Sequence, residues 1–533
     1  MIENILFRLN QPRAYAEAHR AVFRPAEEEP APPDRIGETL AQLRGESALR
    51  FGTVPDGRSL DVGTGICLQT GLVIGAPGYG KTRLLLHLMR TSLCWSLGQR
   101  PDGAVGPARL VVHDELSDTK GETVEEMKKE IAALYLGADD VMRERLARSV
   151  RLLEWSRDSV SPTAPFDNAA GTVSDAFLAD LRTSVEVAVS TQTYTDSVRQ
   201  ALFMLNRLLI AKRFPPNYRF SHRFLMDAAY RAFILGDVAD RDVRAYFLHA
   251  DDVLPNQTRD ALLRRIQYGL SFPEIQLSIG VPPAALDRLL PAGDPLLTLG
   301  NFGPGVSLPP SKARERASQR IVDHLLEAPR RAGNGHRRLI LEEAAAFLTT
   351  AGEVLEPLAN ASRTHRVFGS SVVYAAQDFE NALPRPLVET LTLNSAWWAV
   401  FQSRREGEWI APYAVDAGEG AKGRTAFVER VRALPRQHYY FYAKRGNALP
   451  VKAPDVVAPE QATGRSAEEL LEIFRTKIAV SSLIPARVAA AEIERWEAET
   501  VEAFASPAAK GRKRPAARSI GDLLNDLEGD ADA

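Results

Sequence analysis

The chain has little cysteine: Cys67 and Cys94 are the only two among its 533 residues. Two cysteines are too few for a cysteine-based zinc site or a disulfide framework. Long apolar runs are absent as well, since no stretch of about 18 residues is apolar enough to cross a membrane. Residues 1–20 also lack the apolar core of a signal peptide. These absences predict a cytoplasmic protein, which would reach the inner face of a membrane only through a partner.

Charge of one sign is not in excess either. The chain carries 66 Lys and Arg residues against 68 Asp and Glu residues, a formal net charge of -2 at pH 7. No global positive field would therefore attract nucleic acid, although a local basic patch or a basic pore lining stays open. The length of 533 residues predicts roughly two to four domains.

A glycine-rich loop stands between a short apolar strand and an apolar-periodic helix in LVIGAPGYGKTRLLL, residues 72–86. The loop fits G-x-x-x-x-G-K-[ST], and a strand before it and a helix after it distinguish a phosphate-binding loop from a chance glycine turn. Lys81 would reach the β- and γ-phosphates, and Thr82 would place its hydroxyl on Mg²⁺. We therefore predict that a nucleoside triphosphate binds to Gly75, Ala76, Pro77, Gly78, Tyr79, Gly80, Lys81 and Thr82.

Alternating strand and helix patterns predict an α/β domain with one mostly parallel sheet, interrupted by a helical module. The predicted strands are 72–74, 110–112, 296–300, 338–343, 370–376, 396–402 and 439–444. The predicted domains are an N-terminal helical segment and linker (1–50), a nucleotide-binding domain (51–121 and 291–452), an inserted all-α domain (122–290) and a C-terminal helical extension with an acidic tail (453–533).

A hydrolytic site needs a carboxylate near Mg²⁺ and a group that polarises the attacking water. Residues 339–343 (LILEE) have the pattern of a buried strand that ends in two acids, and such an end lies beside the phosphate loop in a parallel sheet. We assign Glu342 to the outer coordination shell of Mg²⁺ and Glu343 to water activation. An ordinary solvated pair of acids at a strand end is the alternative.

Two further polar residues flank the next predicted strand. Gln377 follows the strand 370–376, where a neutral amide could hold both the attacking water and the γ-phosphate. Arg366 lies eleven residues upstream, where an arginine could act in trans on the nucleotide of a neighbouring subunit. Taken singly, Gln377 is equally well explained as a surface side chain at a strand end, and Arg366 is no more than a surface arginine.

Together these elements resemble the FtsK–HerA superfamily of ring-forming DNA motors, and most closely the type IV coupling proteins of bacterial conjugation. Besides the phosphate loop, the stretches that carry the resemblance are LVVHDELSDTKGE (110–122), LILEEAAAFL (339–348) and RVFGSSVVYAAQ (366–377). The first contains the D-x-K-G-E motif of coupling proteins, from Asp118 to Glu122. The last aligns Arg366 and Gln377 with the finger and sensor positions of the superfamily.

The resemblance implies a RecA-like P-loop NTPase fold, ATP and Mg²⁺ as cofactors, a homo-hexameric ring and non-specific binding of single- or double-stranded DNA. It also implies catalytic roles for Glu342, Glu343, Gln377 and Arg366, and a place in conjugation, type IV secretion or a related DNA-processing machine. Two features depart from the family pattern. Coupling proteins usually begin with transmembrane helices, and they usually have Asp where this chain has Glu342.

Other functions stay open at this stage. An adaptor ATPase that recruits protein cargo to a secretion complex would suit the helical module and the acidic, leucine-spaced C-terminal tail, and a motor partnered with a nuclease is a third possibility. A basic cluster could form a DNA surface, but its helix is better explained as amphipathic with a solvated charged side. The cluster consists of Lys312, Arg314, Arg316, Arg330, Arg331, Arg337 and Arg338.

Overall fold

The computed structural model of the protein describes most of the chain between Arg35 and Ala505. The described residues are 35–99, 111–118, 121–153, 159–160, 162, 174–189, 194–250, 254–290, 295–301, 335–344, 369–377, 385–403, 407–408, 411–412, 415, 420–443, 448–479 and 483–505. Among them, Cys67 and Cys94 are buried free thiols. None of the helices in these ranges combines the length and the apolar character that a membrane span requires.

In the described part of the chain, one large sheet has eleven strands, and two short strands pair separately. The strands are β1 (Ala48–Thr53), β2 (Ser59–Gly63), β3 (Gly71–Ile74), β4 (Val112–Asp118), β5 (Val150–Leu153), β6 (Ser159–Val160), β7 (Leu297–Asn301), β8 (His336–Glu342), β9 (Ser370–Ala376), β10 (Trp397–Phe401), β11 (His438–Ala443), β12 (Leu449–Lys452) and β13 (Ile484–Pro485).

The large sheet has the order β2-β1-β12-β11-β10-β3-β9-β8-β4-β7-β5. All neighbours from β10 to β5 run parallel, whereas the neighbours from β10 to β2 run antiparallel. Strand β9 separates β3, which leads into the phosphate loop, from β8, which ends in the predicted acids. The carboxyl ends of β3, β9, β8 and β4 therefore share one edge, and the predicted mostly parallel sheet is confirmed.

The central strands are apolar because both faces of the sheet are covered. Every residue of β3 and of β9 is buried, as expected for parallel strands between two helical layers. Successive side chains of a strand point to opposite faces, so neighbouring residues belong to different cores. Leu341 packs in the core on one face, and Ile340 packs in the core on the other face.

The helices are placed mainly in the segments between parallel strands and in one long helical stretch. They are α1 (Arg35–Arg44), α2 (Thr64–Cys67), α3 (Lys81–Ser96), α4 (Glu122–Gly137), α5 (Asp140–Ser149), α6 (Asp175–Val189), α7 (Asp196–Lys212), α8 (Tyr218–Met226), α9 (Ala228–Leu235), α10 (Arg241–Leu248), α11 (Asn256–Gly269), α12 (Pro273–Ile279), α13 (Pro283–Leu289), α14 (Arg385–Asn394), α15 (Gly420–Arg432), α16 (Pro459–Thr463), α17 (Ala467–Ile473) and α18 (Ala486–Ala505).

Two helical layers enclose the sheet. Helices α3 and α4 lie on the face of Ile340, where Leu84, Leu88 and Met127 complete the core. The helices from α6 to α11 contribute to the core on the face of Leu341, for example through Phe224. The phosphate-loop helix and the long helical stretch are thus on opposite faces of the sheet.

The range 122–290 differs from the predicted all-α domain. It includes β5, which pairs with β7 at the edge of the large sheet, and β6, which pairs with β13. Its first helix, α4, packs against α3 and β4 and so covers the sheet. Among the described residues, the run of helices without an intervening strand starts only with α6. Strand β5 has four residues, which are too few for an alternation of apolar and polar residues to be detected in the sequence.

The C-terminal helices contact both layers. Helices α16 and α17 pack against α4, on the face of the phosphate-loop helix. Helix α18 packs on the opposite helical layer, where the ring of Trp496 lies 5.3 Å from that of Phe214 and 5.9 Å from that of Phe220. At the other end of the chain, β1 begins at Ala48, so the predicted limit at residue 50 falls inside a strand. The division into domains stays a prediction.

Candidate functional site

The phosphate loop joins the end of β3 to the start of α3 in the centre of the sheet. Both neighbouring strands hold its first residues in place. The Gly75 N–H donates to the carbonyl of Ala376 at 3.3 Å, and the Ala76 N–H donates to the carbonyl of Gln402 at 2.7 Å. These bonds fix the point at which the chain leaves the sheet and turns over its carboxyl edge.

Glycine is required where the loop passes closest to the neighbouring strand. Gly75 has a φ of 147°, and a Cβ atom built on it would lie 2.5 Å from the Cβ of Phe401. Gly78 and Gly80 have φ values of 78° and 109°, a region that only glycine adopts readily. Gly80 is also the N-cap of α3, so the N-terminus of the helix opens into the loop. Pro77 and Gly78 are exposed at its tip.

Lys81 is buried in the first turn of α3, and its side chain reaches back into the loop. The Nζ atom donates to the carbonyl of Gly75 at 2.6 Å and to that of Ala76 at 3.1 Å. A buried ammonium group needs such partners, because burying an unpaired charge is costly. The carbonyls hold the cation where phosphate oxygens would meet it on entering the loop.

Thr82 and Glu342 meet although they are 260 residues apart in the sequence. The Thr82 hydroxyl donates to Oε1 of Glu342 at 3.4 Å. Glu342 is the last residue of β8, and it lies beside Asp118, the last residue of β4, in the parallel register of the two strands. The predicted magnesium-side residues are therefore adjacent, and a second carboxylate lies next to them.

Burial, together with the nearby carboxylates of Asp118 and Glu343, raises the pKa of the Glu342 carboxyl to about 7, although Lys81 and the hydrogen bond from Thr82 act to lower it. The cause is the loss of hydration of a charged group, to which like charges add. A cation bound at this position would remove the penalty by compensating the buried negative charge.

The donor set around Glu342 fits Mg²⁺. Its Oε2 atom is buried and has no hydrogen-bond partner within the described residues, and a buried polar atom without a partner usually marks a site for a water or an ion. Thr82 supplies a hydroxyl on the other side. Mg²⁺ prefers oxygen ligands and commonly uses one or two carboxylates together with substrate phosphates. Thr82 and Glu342 would hold the ion beside the phosphate loop.

Glu343 and Gln377 are also brought together at this edge. The Gln377 side-chain amide donates to Oε1 of Glu343, which joins the end of β8 to the end of β9. Glu343 has a φ of 55°, a left-handed conformation that is uncommon for a residue other than glycine and is often found at functional sites. The turn aims Glu343 along the edge of the sheet, whereas Glu342 points towards α3.

The D-x-K-G-E segment builds the start of α4. Asp118 is buried, and its Oδ2 atom accepts from the Thr123 N–H at 2.8 Å and from the Val124 N–H at 3.4 Å. Gly121 is the N-cap of α4 with a φ of 82°. Asp118 thus satisfies free N–H groups at the helix start and stabilises the helix beside the site, a role that the motif alone did not reveal.

Gln437 is a residue that sequence reasoning missed. It precedes β11 and has a φ of 65°. Its N–H donates to the carbonyl of Tyr79 at 2.8 Å, and its own carbonyl accepts from the Ala453 N–H at 2.8 Å. Gln437 therefore links the phosphate loop to the segment after β12. The available signal was the turn LPRQ before an apolar strand, which gives no indication of its partner.

Some predicted residues lie outside the described part of the chain. These are Arg366, Lys120, the basic residues 312–331 and the C-terminal tail. The remaining members of the basic cluster require a correction. Arg337 and Arg338 are buried residues of β8, and so they belong neither to an exposed DNA surface nor to a solvated helix face.

Comparisons with known proteins give structural likeness only: no family model and no curated protein matches the chain. The chain is similar to the structure of VirB4 of Thermoanaerobacter pseudethanolicus, with 12% identity, a TM-score of 0.49, and coverage of 79% of this chain and 99% of that chain. It is also similar to plasmid coupling protein TrwB in complex with ADP and Mg²⁺, with 14% identity, a TM-score of 0.47, and coverage of 80% of this chain and 94% of that chain. By its strand order and its phosphate loop, the chain has the RecA-like P-loop NTPase fold.

Proposed function

We propose that the protein is an ATP-hydrolysing motor that assembles as a homo-hexameric ring and translocates DNA in conjugation, type IV secretion or a related DNA-processing machine. One observation carries the hydrolytic part of the proposal. The phosphate loop, the Thr82–Glu342 contact and the Glu343–Gln377 contact converge on the same edge of the sheet. An NTPase needs these components within reach of one γ-phosphate.

In this proposal each side chain of the site has a separate role. Lys81 and the loop N–H groups bind the phosphates, and Thr82 and Glu342 hold Mg²⁺. When bound, Mg²⁺ neutralises phosphate charge and fixes the orientation of the phosphates. Glu343 accepts a proton from the attacking water and orients it, as a general base within hydrogen-bond reach would do. Gln377 holds the Glu343 carboxylate through its amide and senses the γ-phosphate from the neighbouring strand.

The DNA-translocating part rests on the sequence motifs. The D-x-K-G-E segment and the stretch from Arg366 to Gln377 resemble those of coupling proteins, which suggests that Arg366 serves the nucleotide of an adjacent subunit. Such head-to-tail interfaces close into rings when the rotation between subunits allows it. DNA in the ring would be held mainly through its phosphates, with little sequence preference and with strong salt dependence.

DNA-stimulated ATPase activity tests the proposal. Wild-type protein should hydrolyse ATP, and single- or double-stranded DNA should raise the rate at low salt and raise it less at high salt. The matched control is Glu343→Gln, which should bind ATP but show no turnover with or without DNA. Hydrolysis by an assembled ring without any response to DNA would refute the motor function and favour the adaptor ATPase. Full activity of Glu343→Gln would refute the assigned base.

A further inference from the structure

A charged cluster lies beneath the candidate site, on the face of the sheet that α3 covers. The guanidinium of Arg338, in β8, is completely buried. It donates from Nε and Nη2 to the two carboxylate oxygens of Asp114, in β4, both at 2.8 Å. Its Nη2 atom also donates to the hydroxyl of Ser92, in α3, at 2.9 Å. One side chain therefore joins two strands and the phosphate-loop helix.

The register of the strands relates this cluster to the site. Asp114 lies opposite Arg338 in the parallel pair, and four residues further on Asp118 lies opposite Glu342. Side chains four residues apart in a strand point to the same face, and the distance between them is about 13 Å at roughly 3.3 Å per residue. The oppositely charged pair thus lies on the same face as the pair of carboxylates at the sheet edge.

Helix α3 contacts β8 at both of these levels. Thr82 donates to Glu342 at 3.4 Å, and Ser92 accepts from Arg338 at 2.9 Å. The two helix residues are ten positions apart, which is about 15 Å along the axis at roughly 1.5 Å per residue. This span is similar to the one along β8, so the two polar contacts together set how far α3 is shifted along the strand.

The apolar contacts that lie between these two hydrogen bonds define the position of α3 along β8 less sharply. Leu84, Leu88 and Ile340 fill the space between the helix and the strand, and apolar packing has no directional preference. A planar guanidinium with two parallel bonds to a carboxylate has a defined geometry. The buried Arg338–Asp114 pair, with Ser92 of α3 as a third partner, is therefore suited to selecting one position of the helix along the strand where apolar packing alone would allow several.

We propose that Arg338 is a positioning residue, which acts through Asp114 and Ser92 to hold Thr82 opposite Glu342 and so keeps the two Mg²⁺-side oxygens together. This inference rests on the proposed nucleotide and Mg²⁺ site, but not on hydrolysis or on DNA. Arg338 itself touches neither the phosphate loop nor the acids at the sheet edge; it determines the position of the helix that carries Thr82.

The test measures the Mg²⁺ dependence of ADP binding. In the double variant Arg338→Met/Asp114→Leu, apolar groups replace both charges, so that no unpaired buried charge remains. A fluorescent ADP analogue is titrated at increasing Mg²⁺ concentration, and a thermal melt reports folding. We expect the half-saturating Mg²⁺ concentration to rise by about tenfold or more, with ADP binding in the absence of Mg²⁺ unchanged, because the phosphate loop is intact.

A second variant and a matched control complete the experiment. Ser92→Ala removes the bond from Arg338 to α3, together with the bond of the hydroxyl to the Leu88 carbonyl within the helix, and keeps the ion pair, so it should shift the Mg²⁺ midpoint in the same direction by a smaller factor. The control replaces Arg288 and Glu492, an ion pair at 2.8 Å between α13 and α18, with Met and Leu, and should leave the midpoint unchanged.

The outcomes separate this inference from the proposed function. A folded double variant with the wild-type Mg²⁺ midpoint would overturn the inference. If the double variant does not fold, an unchanged midpoint in Ser92→Ala would do the same. Wild-type protein that binds no ADP would instead refute the nucleotide site, and the inference with it. A wild-type protein that binds ADP with Mg²⁺ but does not hydrolyse ATP would refute the motor alone.

Discussion

Replacing Glu342 with glutamine should stabilise the nucleotide-free protein at alkaline pH, although it removes a proposed Mg²⁺-side residue. The carboxylate is buried at the end of β8 near Asp118 and Glu343, and one of its oxygens has no hydrogen-bond partner within the described residues. Without a bound cation, its negative charge destabilises the fold. A neutral amide of nearly the same shape has no charge to bury.

The sign and the magnitude follow from the pKa. In the folded protein the pKa of Glu342 is raised from 4.5 to about 7. Between these values the folded protein keeps a proton that the unfolded chain has released, so the free energy of unfolding decreases as the pH rises through this window. At about 1.4 kcal/mol per pH unit the full loss is about 3 kcal/mol, of which about 2.5 kcal/mol falls between pH 5 and pH 8. Glu342→Gln lacks this titration.

Urea unfolding of both proteins at pH 5 and pH 8, without nucleotide, measures the effect. The stability difference between Glu342→Gln and wild type should shift in favour of the variant by about 2.5 kcal/mol from pH 5 to pH 8. Adding ADP and Mg²⁺ should reduce the advantage of the variant at pH 8, because a bound cation compensates the carboxylate. If the stability difference between Glu342→Gln and wild type were the same at pH 5 and pH 8, the raised pKa of Glu342 would be refuted.

Three further substitutions test other parts of the site. Lys81→Ala should weaken ATP binding roughly a hundredfold, since it removes a charge-assisted contact, and isothermal titration would show this; binding of wild-type strength would contradict the role of Lys81. Gly75→Ala should destabilise the protein by about 2 kcal/mol in thermal melts and should reduce ADP binding. In Gly65→Ala the added Cβ meets nothing within 4 Å, so neither the stability nor the ADP binding should change. Arg366→Ala should lower ATP turnover, and mixing it with Glu343→Gln subunits should restore part of the turnover if the arginine acts in trans; no recovery in mixed rings would place it in its own subunit.

The sequence predicted those parts of the site that are encoded locally. The phosphate loop is contiguous, and the strand 370–376 was predicted with the bounds that it has in the structure. Glu342 and Glu343 come directly after the apolar run of β8, which marks the strand as buried on both faces. Because parallel strands end at a common edge, the meeting of Thr82 with Glu342 could be expected from the order of the elements, even across 260 residues.

Other elements escaped because their sequence signals are short or irregular. Strands β1, β2 and β12 belong to the antiparallel side of the sheet, and a register shift between Arg50 and Gly52 interrupts the pairing of β1 with β2. Such a bulge disturbs the alternation of apolar residues. Strand β12 has four residues and includes Pro450, and a proline argues against a strand when only the sequence is known.

The buried ion pair was missed for a different reason. Arg337 and Arg338 stand next to each other before an apolar run, and the basic cluster that includes them is better explained from the sequence as solvated than as a DNA surface. Whether an arginine is buried depends on a partner, and Asp114 lies 224 residues away. No local pattern carries that information, since a charged residue is buried only where the fold brings an opposite charge to it.

The alternation along β8 has a consequence for how this chain can vary. Leu341 packs in the core that the helices from α6 to α11 cover, whereas the next residue, Glu342, contacts Thr82 of α3 on the opposite face. Loss or gain of a single residue within the strand would exchange the two faces, placing a carboxylate in an apolar core and a leucine beside the nucleotide. Substitutions in β8 keep this alternation of faces, but insertions and deletions of one residue do not. Functional homologues should therefore align with this strand without gaps.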